Sequence, residues 1–359
     1  MPRERILSAD DQPPPTEPMA ADSPVTGAVE ADMALRPKHL DEVIGQRAVY
    51  ERIKIAVDAS RMRGDPLGHV LFDGPPGLGK TTFATCIPRD LGVELQITSG
   101  ATLTAPKDLL PHLTNAQEGS VLFIDEIHRL PKTVEEFLYP AMEDFRVDIT
   151  LGEGVNARTF NMNLPPFTVI GATTRSGLLS APLRDRFPIN EHLDFYSLQE
   201  LRQIIQRSAA KLSLPIDDDA ADEIARCSRG TPRIANNRLR WVRDFATSRA
   251  DGHVTMAVAE QALKMAGVDA AGLDPQDRKY LETILRVFDG GPVGVEAVAH
   301  TLNTASDTLT DSVEPFLLRT GLVVRTPRGR KLTDAGYEHL GETAPPTTAP
   351  TEDQQPLFE

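Results

Sequence analysis

The segment 74–81 has the residue types and spacing of a phosphate-binding loop. Its sequence, GPPGLGKT, matches the pattern G-x-x-x-x-G-K-[ST] at every fixed position. Gly77 and Gly79 would let successive backbone N–H groups turn toward phosphate oxygens. Lys80 supplies a cation for the β and γ phosphates, and the hydroxyl of Thr81 can bind Mg²⁺. A flexible glycine turn with an exposed lysine is the alternative, but the apolar run before the loop and the helical pattern after it favour a nucleotide site.

Two carboxylates follow a second apolar run. The run 121–124 predicts a buried strand that ends at Asp125 and Glu126. Ligands of open α/β sheets bind at the carboxyl ends of the strands, where the phosphate loop also lies. We expect Asp125 to hold Mg²⁺, directly or through water, and Glu126 to orient and polarise the attacking water. An acidic helix cap after a strand is the alternative, and the phosphate loop elsewhere in the chain favours the nucleotide role.

Three further sets of polar residues could take part in hydrolysis of a nucleoside triphosphate. Thr173 and Thr174 end a third apolar run, where a hydroxyl can contact the γ-phosphate or the water, or can simply cap a turn. Arg184 and Arg186 bring two cations shortly afterwards, and an arginine there could stabilise the phosphoryl group transferred in a neighbouring subunit, or could form a solvated ion pair. Arg233 lies just inside a helix opened by Thr231 and Pro232, and could reach the nucleotide or remain a surface residue.

The composition describes a soluble, acidic protein of more than one domain. The chain has 359 residues and a formal net charge of -14, which argues against a protein that coats DNA with its whole surface and leaves room for a local basic patch. No membrane span and no secretory signal are recognisable, so a cytoplasmic protein without a membrane role is expected. Cys86 and Cys227 lack neighbours at metal-ligand spacing and are interpreted as small buried hydrophobes.

Strands and helices alternate over residues 31–196, which predicts a large ATPase domain. Three nearly continuous apolar runs separated by helices indicate an α/β fold, a parallel sheet around the phosphate loop with helices on both faces. The runs lie at 69–73, 120–125 and 167–173. Between the last two, residues 145–164 alternate polar and apolar side chains around a glycine turn, which predicts a β-hairpin.

The remainder of the chain is predicted to be helical and then to form a winged helix. Residues 197–267 have the pattern of a small helical lid domain, and 268–341 that of three helices followed by a hairpin. This hairpin carries Arg325, Arg328 and Arg330 in a stretch without acids, which favours contacts with DNA phosphates and little sequence preference. A solvated basic turn is the alternative.

The two ends of the chain have a different composition. Residues 1–30 and 342–359 are rich in proline and poor in large hydrophobic residues. Such segments cannot offset the entropy cost of ordering, so both are expected to be disordered tails.

Several segments together resemble the RuvB family, the bacterial Holliday-junction branch-migration motors of the AAA+ class. The resemblance covers about residues 35–341 in one order. The phosphate loop and the strand ending at Asp125 are shared with AAA+ ATPases in general. The segments YPAMED at 139–144 and RTPRGR at 325–330 narrow the resemblance to this family.

This resemblance implies a homohexameric ATPase that uses ATP and Mg²⁺ to pump duplex DNA in recombination and repair, with a RuvA tetramer and the RuvC resolvase as partners. It implies that Thr174 is the first sensor, Arg186 the finger for the adjacent subunit, and Arg233 the second sensor. The hairpin 145–164 would bind RuvA. The residues implied around the nucleotide are Leu35, Arg36, Gly77, Gly79, Lys80, Thr81, Thr82, Glu143, Asp144, Phe145, Tyr196, Pro232 and Arg233. Arg325, Arg328 and Arg330 would hold DNA.

Three positions depart from the family pattern. Pro88 lies inside the helix after the phosphate loop, where a proline costs about 3 kcal/mol or ends the helix. Pro188 could restrict the segment that holds Arg186. Trp241 interrupts a run of leucine and arginine and is interpreted as a packing residue. Two alternative functions stay open at this stage, an AAA+ protein remodeller and a nucleotide-gated DNA scaffold that hydrolyses too slowly to do work.

Overall fold

The computed structural model of the chain describes residues 34–151 and 158–345. Two compact units are present, residues 1–36 and 37–359. In the described part of the first unit, Leu35 is buried. The predicted tail 1–30 and most of the predicted tail 342–359 lie outside the described residues. The domain boundaries predicted within the second unit, after residues 196 and 267, stay a prediction.

Seven strands lie in the first half of the second unit. In chain order they are β1 (Val70–Asp73), β2 (Leu95–Ser99), β3 (Val121–Asp125), β4 (Arg146–Leu151), β5 (Arg158–Asn163), β6 (Thr168–Thr173) and β7 (Ile189–His192). Five of them form a parallel sheet in the order β2-β3-β6-β1-β7. This confirms the predicted P-loop fold, and it brings the carboxyl ends of β1, β3 and β6 to one edge.

Helices cover both faces of this sheet. They are α1 (Arg47–Arg63), α2 (Lys80–Leu91), α3 (Pro106–Thr114), α4 (Lys132–Glu143) and the short α5 (Ala181–Arg184). Alternate side chains of β1 serve the two faces: Phe72 packs in one hydrophobic cluster and Leu71 in the other. The Phe72 ring stacks on Phe83 of α2 at 5.5 Å between centroids. Among the described residues, no helix is both long and apolar enough to cross a bilayer.

Strands β2 and β7 were not predicted from the sequence, and Pro88 disturbs its helix less than expected. β2 is half-exposed and β7 is a four-residue edge strand, so neither has the continuous apolar run of a central strand. α2 continues through Pro88 to Leu91 and ends at Gly92, which has a φ of 73°. Because Pro88 lies in the last turn of α2, the bond lost to its missing N–H does not end the helix.

The predicted hairpin is present as β4 and β5. The two strands pair antiparallel, with Val147 opposite Met162 and Ile149 opposite Phe160. Val147 is buried, whereas 52% of Phe160 is exposed. The glycine turn between the strands lies outside the described residues.

Four helices follow β7. They are α6 (Leu198–Lys211), α7 (Asp218–Arg226), α8 (Pro232–Arg249) and α9 (Met256–Met265). A capping box of Ser197 and Glu200 opens α6. Thr231 occupies the position before α8 without a hydrogen bond from its side chain to the helix. Trp241, interpreted from the sequence as a packing residue, is 39% exposed and donates its indole N–H to the Ala262 carbonyl at 2.7 Å.

The last region has the order of a winged helix. Its helices are α10 (Pro275–Val287), α11 (Val295–Leu302), α12 (Ser306–Thr308), α13 (Glu314–Arg319) and α14 (Asp334–His339). A π-helical turn, Leu309–Val313, joins α12 to α13. The wing is the antiparallel pair β8 (Val323–Thr326) and β9 (Gly329–Leu332).

Both cysteines are buried, as the sequence analysis expected. Burial raises the pKa of the Cys86 thiol to about 12 and also raises the pKa of Cys227. Each thiol therefore stays protonated and unreactive, and each packs as a small apolar side chain.

Candidate nucleotide-binding site and basic wing

The phosphate loop connects β1 to α2 and is shaped by glycines with positive φ. Gly74, Gly77 and Gly79 have φ values of 130°, 78° and 107°, which only glycine adopts readily. At Gly77, a Cβ would come within 2.7 Å of the Thr231 methyl group and 3.1 Å of the Arg233 Cβ. A side chain at Gly77 would therefore separate the loop from the start of α8.

Lys80 lies over the loop that precedes it. Its ammonium donates hydrogen bonds to the carbonyls of Gly74 at 2.6 Å and Pro75 at 2.8 Å. Burial lowers the pKa of Lys80 to about 8, while the carboxylates of Asp125 and Asp73 act in the opposite direction. The structure thus brings the predicted cation and the predicted Mg²⁺ ligand Asp125 within electrostatic reach of each other.

The two acids at the end of β3, Asp125 and Glu126, differ in their surroundings. The Asp125 carboxylate accepts a hydrogen bond from the Glu126 backbone N–H at 2.9 Å. Glu126 has a φ of 50°, an uncommon value for a residue with a side chain. Its carboxylate lies 2.8 Å from the Arg129 guanidinium. Glu126 is therefore at the predicted edge of the sheet but is paired with a cation.

The end of β6 carries two threonines with different roles. Thr173 is buried, and its hydroxyl lies 2.9 Å from Nδ1 of His128 and accepts the Arg175 N–H at 3.0 Å. Thr174, the predicted sensor, is half-buried at the same carboxyl edge. Thr173 therefore links the end of β6 to His128 and to the Arg175 backbone, directly beside Thr174.

Residues after β7 lie against the other side of the phosphate loop. The Tyr196 hydroxyl donates to the Leu78 carbonyl at 3.0 Å, and its backbone N–H donates to Gly230 at 2.9 Å. Burial raises the pKa of Tyr196. The Arg233 backbone N–H points to the Gly77 carbonyl at 3.5 Å, with its side chain exposed. The structure thus brings Tyr196, Pro232 and Arg233 to the phosphate loop and the start of α2. This segment contains Gly79, Lys80, Thr81 and Thr82.

Arg186 lies at the opposite edge of the sheet. It precedes the amino end of β7, whereas the phosphate loop follows the carboxyl end of the parallel neighbour β1. Its guanidinium lies 3.0 Å from the Glu143 carboxylate, donates to the Pro182 carbonyl at 2.7 Å and stacks over the Tyr139 ring at 4.1 Å. Within one chain, Arg186 therefore does not belong to the site of Lys80.

The predicted nucleotide neighbours Glu143, Asp144 and Phe145 lie at this same amino edge. The adjacent Met142 carbonyl is 3.0 Å from Nε2 of His69, the residue directly before β1. Phe145 packs edge-on against Phe167 at 6.1 Å between ring centroids. The structure therefore does not bring these three residues to the phosphate loop of their own chain. Leu35 and Arg36 belong to the separate first unit, and their role at the adenine end stays a prediction.

The residues at the carboxyl edge fit a magnesium ion that is shared with a triphosphate. Mg²⁺ in such sites takes one or two protein oxygens and completes its shell with phosphates and water. Thr81 and Asp125 provide one hydroxyl and one carboxylate of this kind. In residues 34–151 and 158–345 no group of three or more His, Cys, Asp or Glu side chains could hold a metal by itself.

The three arginines of the wing differ in their contacts. The fully buried Glu314 carboxylate accepts hydrogen bonds from Arg325 at 2.9 Å and from Arg330 at 2.8 Å. The Tyr280 hydroxyl also donates to Glu314, at 2.9 Å. Arg328 is exposed at the turn. The wing segment lacks acids in sequence, but the fold supplies one from α13, so that Arg325 and Arg330 are both paired with Glu314.

The chain matches known sequence families over nearly all of its described length. The family models are the Holliday junction DNA helicase RuvB P-loop domain at residues 35–193, the RuvB AAA lid domain at 196–269 and the RuvB C-terminal winged helix domain at 270–341. The chain belongs to the RuvB family. The resemblance seen in the sequence is thereby confirmed.

Individual RuvB proteins are similar over most of their length. The chain is 59% identical over 316 residues to the Holliday junction branch migration complex subunit RuvB of Rhodopirellula baltica, covering 88% of this chain and 86% of that protein. It is 52% identical over 319 residues to the same subunit of Myxococcus xanthus, covering 89% and 93%. The solved Thermotoga maritima RuvB Holliday junction branch migration motor superposes with a TM-score of 0.80 at 46% identity, covering 87% of this chain and 100% of that one.

Sequence reasoning missed several residues that shape the RuvB site. His128 and Arg129 closely follow Asp125 and Glu126 and were assigned no role, yet they contact Thr173 and Glu126. Glu314 gave no signal, because a buried acid cannot be told from a surface acid at the start of a helix. Arg175 directly follows Thr174 and was assigned no role either.

Proposed function

We propose that this chain is the ATP-driven subunit of a motor that moves duplex DNA to branch-migrate Holliday junctions, together with RuvA and RuvC. The observation that carries the proposal is the union, in one compact unit, of a phosphate loop, an acidic strand end and a winged helix with a basic tip. Membership of the RuvB family supports both parts of this proposal, the use of ATP and the action on DNA. We expect this work on DNA to take place in the cytoplasm.

The chain's own residues would bind and orient ATP at the carboxyl edge of the sheet. Lys80 would bind the β and γ phosphates, and Thr81 and Asp125 would hold Mg²⁺. Bound there, Mg²⁺ neutralises charge on the phosphates. Release of Glu126 from Arg129 would free its carboxylate to orient the attacking water. Thr174 and Arg233 would contact the γ-phosphate from β6 and α8.

The residues at the amino edge would serve the nucleotide of a neighbouring subunit. Arg186, Glu143 and Tyr139 form one cluster there, held by a charge pair and a ring contact. Because this cluster lies away from its own phosphate loop, a ring of subunits is needed to bring it to ATP. A homohexamer with Arg186 as the finger satisfies this geometry.

The winged helix would contact the phosphate backbone of DNA. Arg328 is exposed at the turn, while Glu314 holds the exposed Arg325 and the largely buried Arg330 in fixed positions, with 48% and 18% of their side chains exposed. Charge and position suit phosphate contacts without base reading. The hairpin of β4 and β5, with its exposed Phe160, would bind RuvA.

The role of Arg328 gives a prediction for DNA binding. Arg328→Ala should weaken duplex binding equally for unrelated sequences and reduce the slope of log affinity against log salt by about one. Fluorescence anisotropy at several salt concentrations measures both. Arg286→Ala, an exposed arginine on α10, is the matched control and should leave the slope unchanged. An unchanged slope in Arg328→Ala would remove Arg328 from the DNA surface.

Branch migration of a synthetic four-way junction tests the function as a whole. With the matching RuvA, ATP and Mg²⁺, the wild-type protein should convert the junction to duplex products, and Lys80→Ala should not. Omission of RuvA or ATP supplies the controls. Absence of products in the complete reaction would contradict the proposed function while leaving the fold intact.

A further inference from the structure

Arg175 joins the end of β6 to the winged-helix region. Its guanidinium makes a bidentate contact with Asp311, Nε to Oδ1 at 3.1 Å and Nη2 to Oδ2 at 2.9 Å. Nη2 also lies 2.8 Å from the carboxylate of Asp307. Only 24% of the Arg175 side chain is exposed. Bidentate, half-buried arginine pairs of this kind are stronger and less screened than surface ion pairs.

The same arginine is attached to the nucleotide-sensing strand end. Its backbone N–H donates to the Thr173 hydroxyl, and the residue between them is Thr174. A shift of this strand end on contact with the γ-phosphate would therefore move the Arg175 backbone directly.

Asp311 lies in the π-helical turn Leu309–Val313, which continues without a break into α13. The first residue of α13 is Glu314, which holds Arg325 and Arg330 of the wing. One continuous helical segment therefore runs from the partner of Arg175 to the anchor of the wing. Turns of π type inside helices are frequent at functional sites.

The Asp311 carboxylate is close enough to Lys80 and His128 for its charge to act on both. Burial lowers the pKa of both groups, and Asp311 opposes this as a minor contribution. A negative charge of the winged-helix region is thus within electrostatic reach of the phosphate-binding lysine.

A second, independent contact keeps the winged helix in place. The buried Arg229, directly before the turn that leads to Arg233, forms ion pairs with Asp274 and Asp277 at the start of α10. It also stacks over Phe316 of α13 at 5.3 Å. Loss of the Arg175 contact alone would therefore leave the winged helix packed on the rest of the chain.

We propose that Arg175, through Asp311 and Asp307, is a positioning residue that couples the state of the ATP site to the DNA-binding wing. The inference rests on the proposed function and adds the route by which hydrolysis reaches DNA. Linkage makes the effect reciprocal: if nucleotide state changes DNA affinity, DNA must change nucleotide affinity by the same factor.

The test compares duplex affinity in ADP with duplex affinity in a non-hydrolysable ATP analogue. Wild type is expected to show a ratio of about five or more between the two states. Asp311→Asn, which removes the charge but keeps the size, should bring the ratio close to one. Its urea unfolding transition should stay cooperative, so that a lost ratio reports coupling and not unfolding. Asp334→Asn, an exposed aspartate of α14, is the matched control and should keep the full ratio.

A charge swap separates coupling from packing. The double variant Arg175→Asp with Asp311→Arg should recover a large part of the ratio that Asp311→Asn loses. If the wild-type protein is active and its Asp311→Asn and Arg175→Ala variants keep the full ratio, the coupling role of Arg175 is wrong while the proposed function stands. A wild type that neither hydrolyses ATP nor binds duplex would overturn the proposed function and this proposal with it.

Discussion

Replacing Arg186 with alanine is expected to lower ATP hydrolysis about 1,000-fold or more while ATP binding stays nearly unchanged. The reason is positional. Arg186 lies at the amino edge of the sheet, held by Glu143 and Tyr139, and the phosphate loop lies at the other edge. A residue that acts only on the transferring phosphoryl group of a neighbour lowers kcat and contributes little to binding.

Steady-state hydrolysis and binding of a fluorescent ATP analogue measure the two quantities separately. Arg184→Ala, an exposed arginine of α5, is the matched control and should behave as wild type. Mixing supplies a sharper test. Subunits with Arg186→Ala keep an intact ATP site, and subunits with Lys80→Ala keep an intact finger. If they mix at random in one ring, about one site in four is complete, and activity should return. A mixture no more active than its two components would refute action between subunits.

Replacing Glu314 with alanine is expected to lower the free energy of unfolding by about 3–5 kcal/mol. The carboxylate is fully buried and accepts hydrogen bonds from Arg325, Arg330 and Tyr280. These bonds keep the pKa of Glu314 below its usual value despite burial. Its removal leaves a buried tyrosine hydroxyl and a largely buried arginine without their partner.

Urea unfolding, followed by circular dichroism, measures this loss. Glu296→Ala, an exposed glutamate of α11, is the matched control and should change stability by less than about 0.5 kcal/mol. Equal stability of Glu314→Ala and wild type would show that the wing does not depend on the buried network.

The central strands of the sheet, and the place of the phosphate loop and Asp125 at its carboxyl edge, could be predicted because their signals are local. The loop at 74–81 and the run ending at Asp125 each combine a motif with a buried strand, and parallel strands place their carboxyl ends together. Strands β2 and β7 were not predicted, because their exposed positions break the apolar pattern of a central strand. The hairpin was found from alternation alone, since its two strands are neighbours in the chain.

Contacts between distant segments could not be predicted in this way. Glu314 and the wing arginines are more than ten residues apart, and Arg175 and Asp311 are separated by 136. Nothing in a local window shows that such charges meet. The same limit explains Glu143, which was placed near the nucleotide by resemblance and lies beside Arg186 in the structure. Only the three-dimensional arrangement distinguishes a chain's own site from the one it offers to a neighbour.

The position of Arg186 on the far edge of the sheet has a further consequence for how the protein would respond to dilution. In the proposed ring, an isolated chain would carry two halves of two different sites and no complete one. Specific activity should therefore rise with protein concentration and fall when the protein is diluted below its assembly threshold, even with ATP in excess. The cell could then control this activity through the local concentration of chains, without changing any residue of the ATP site.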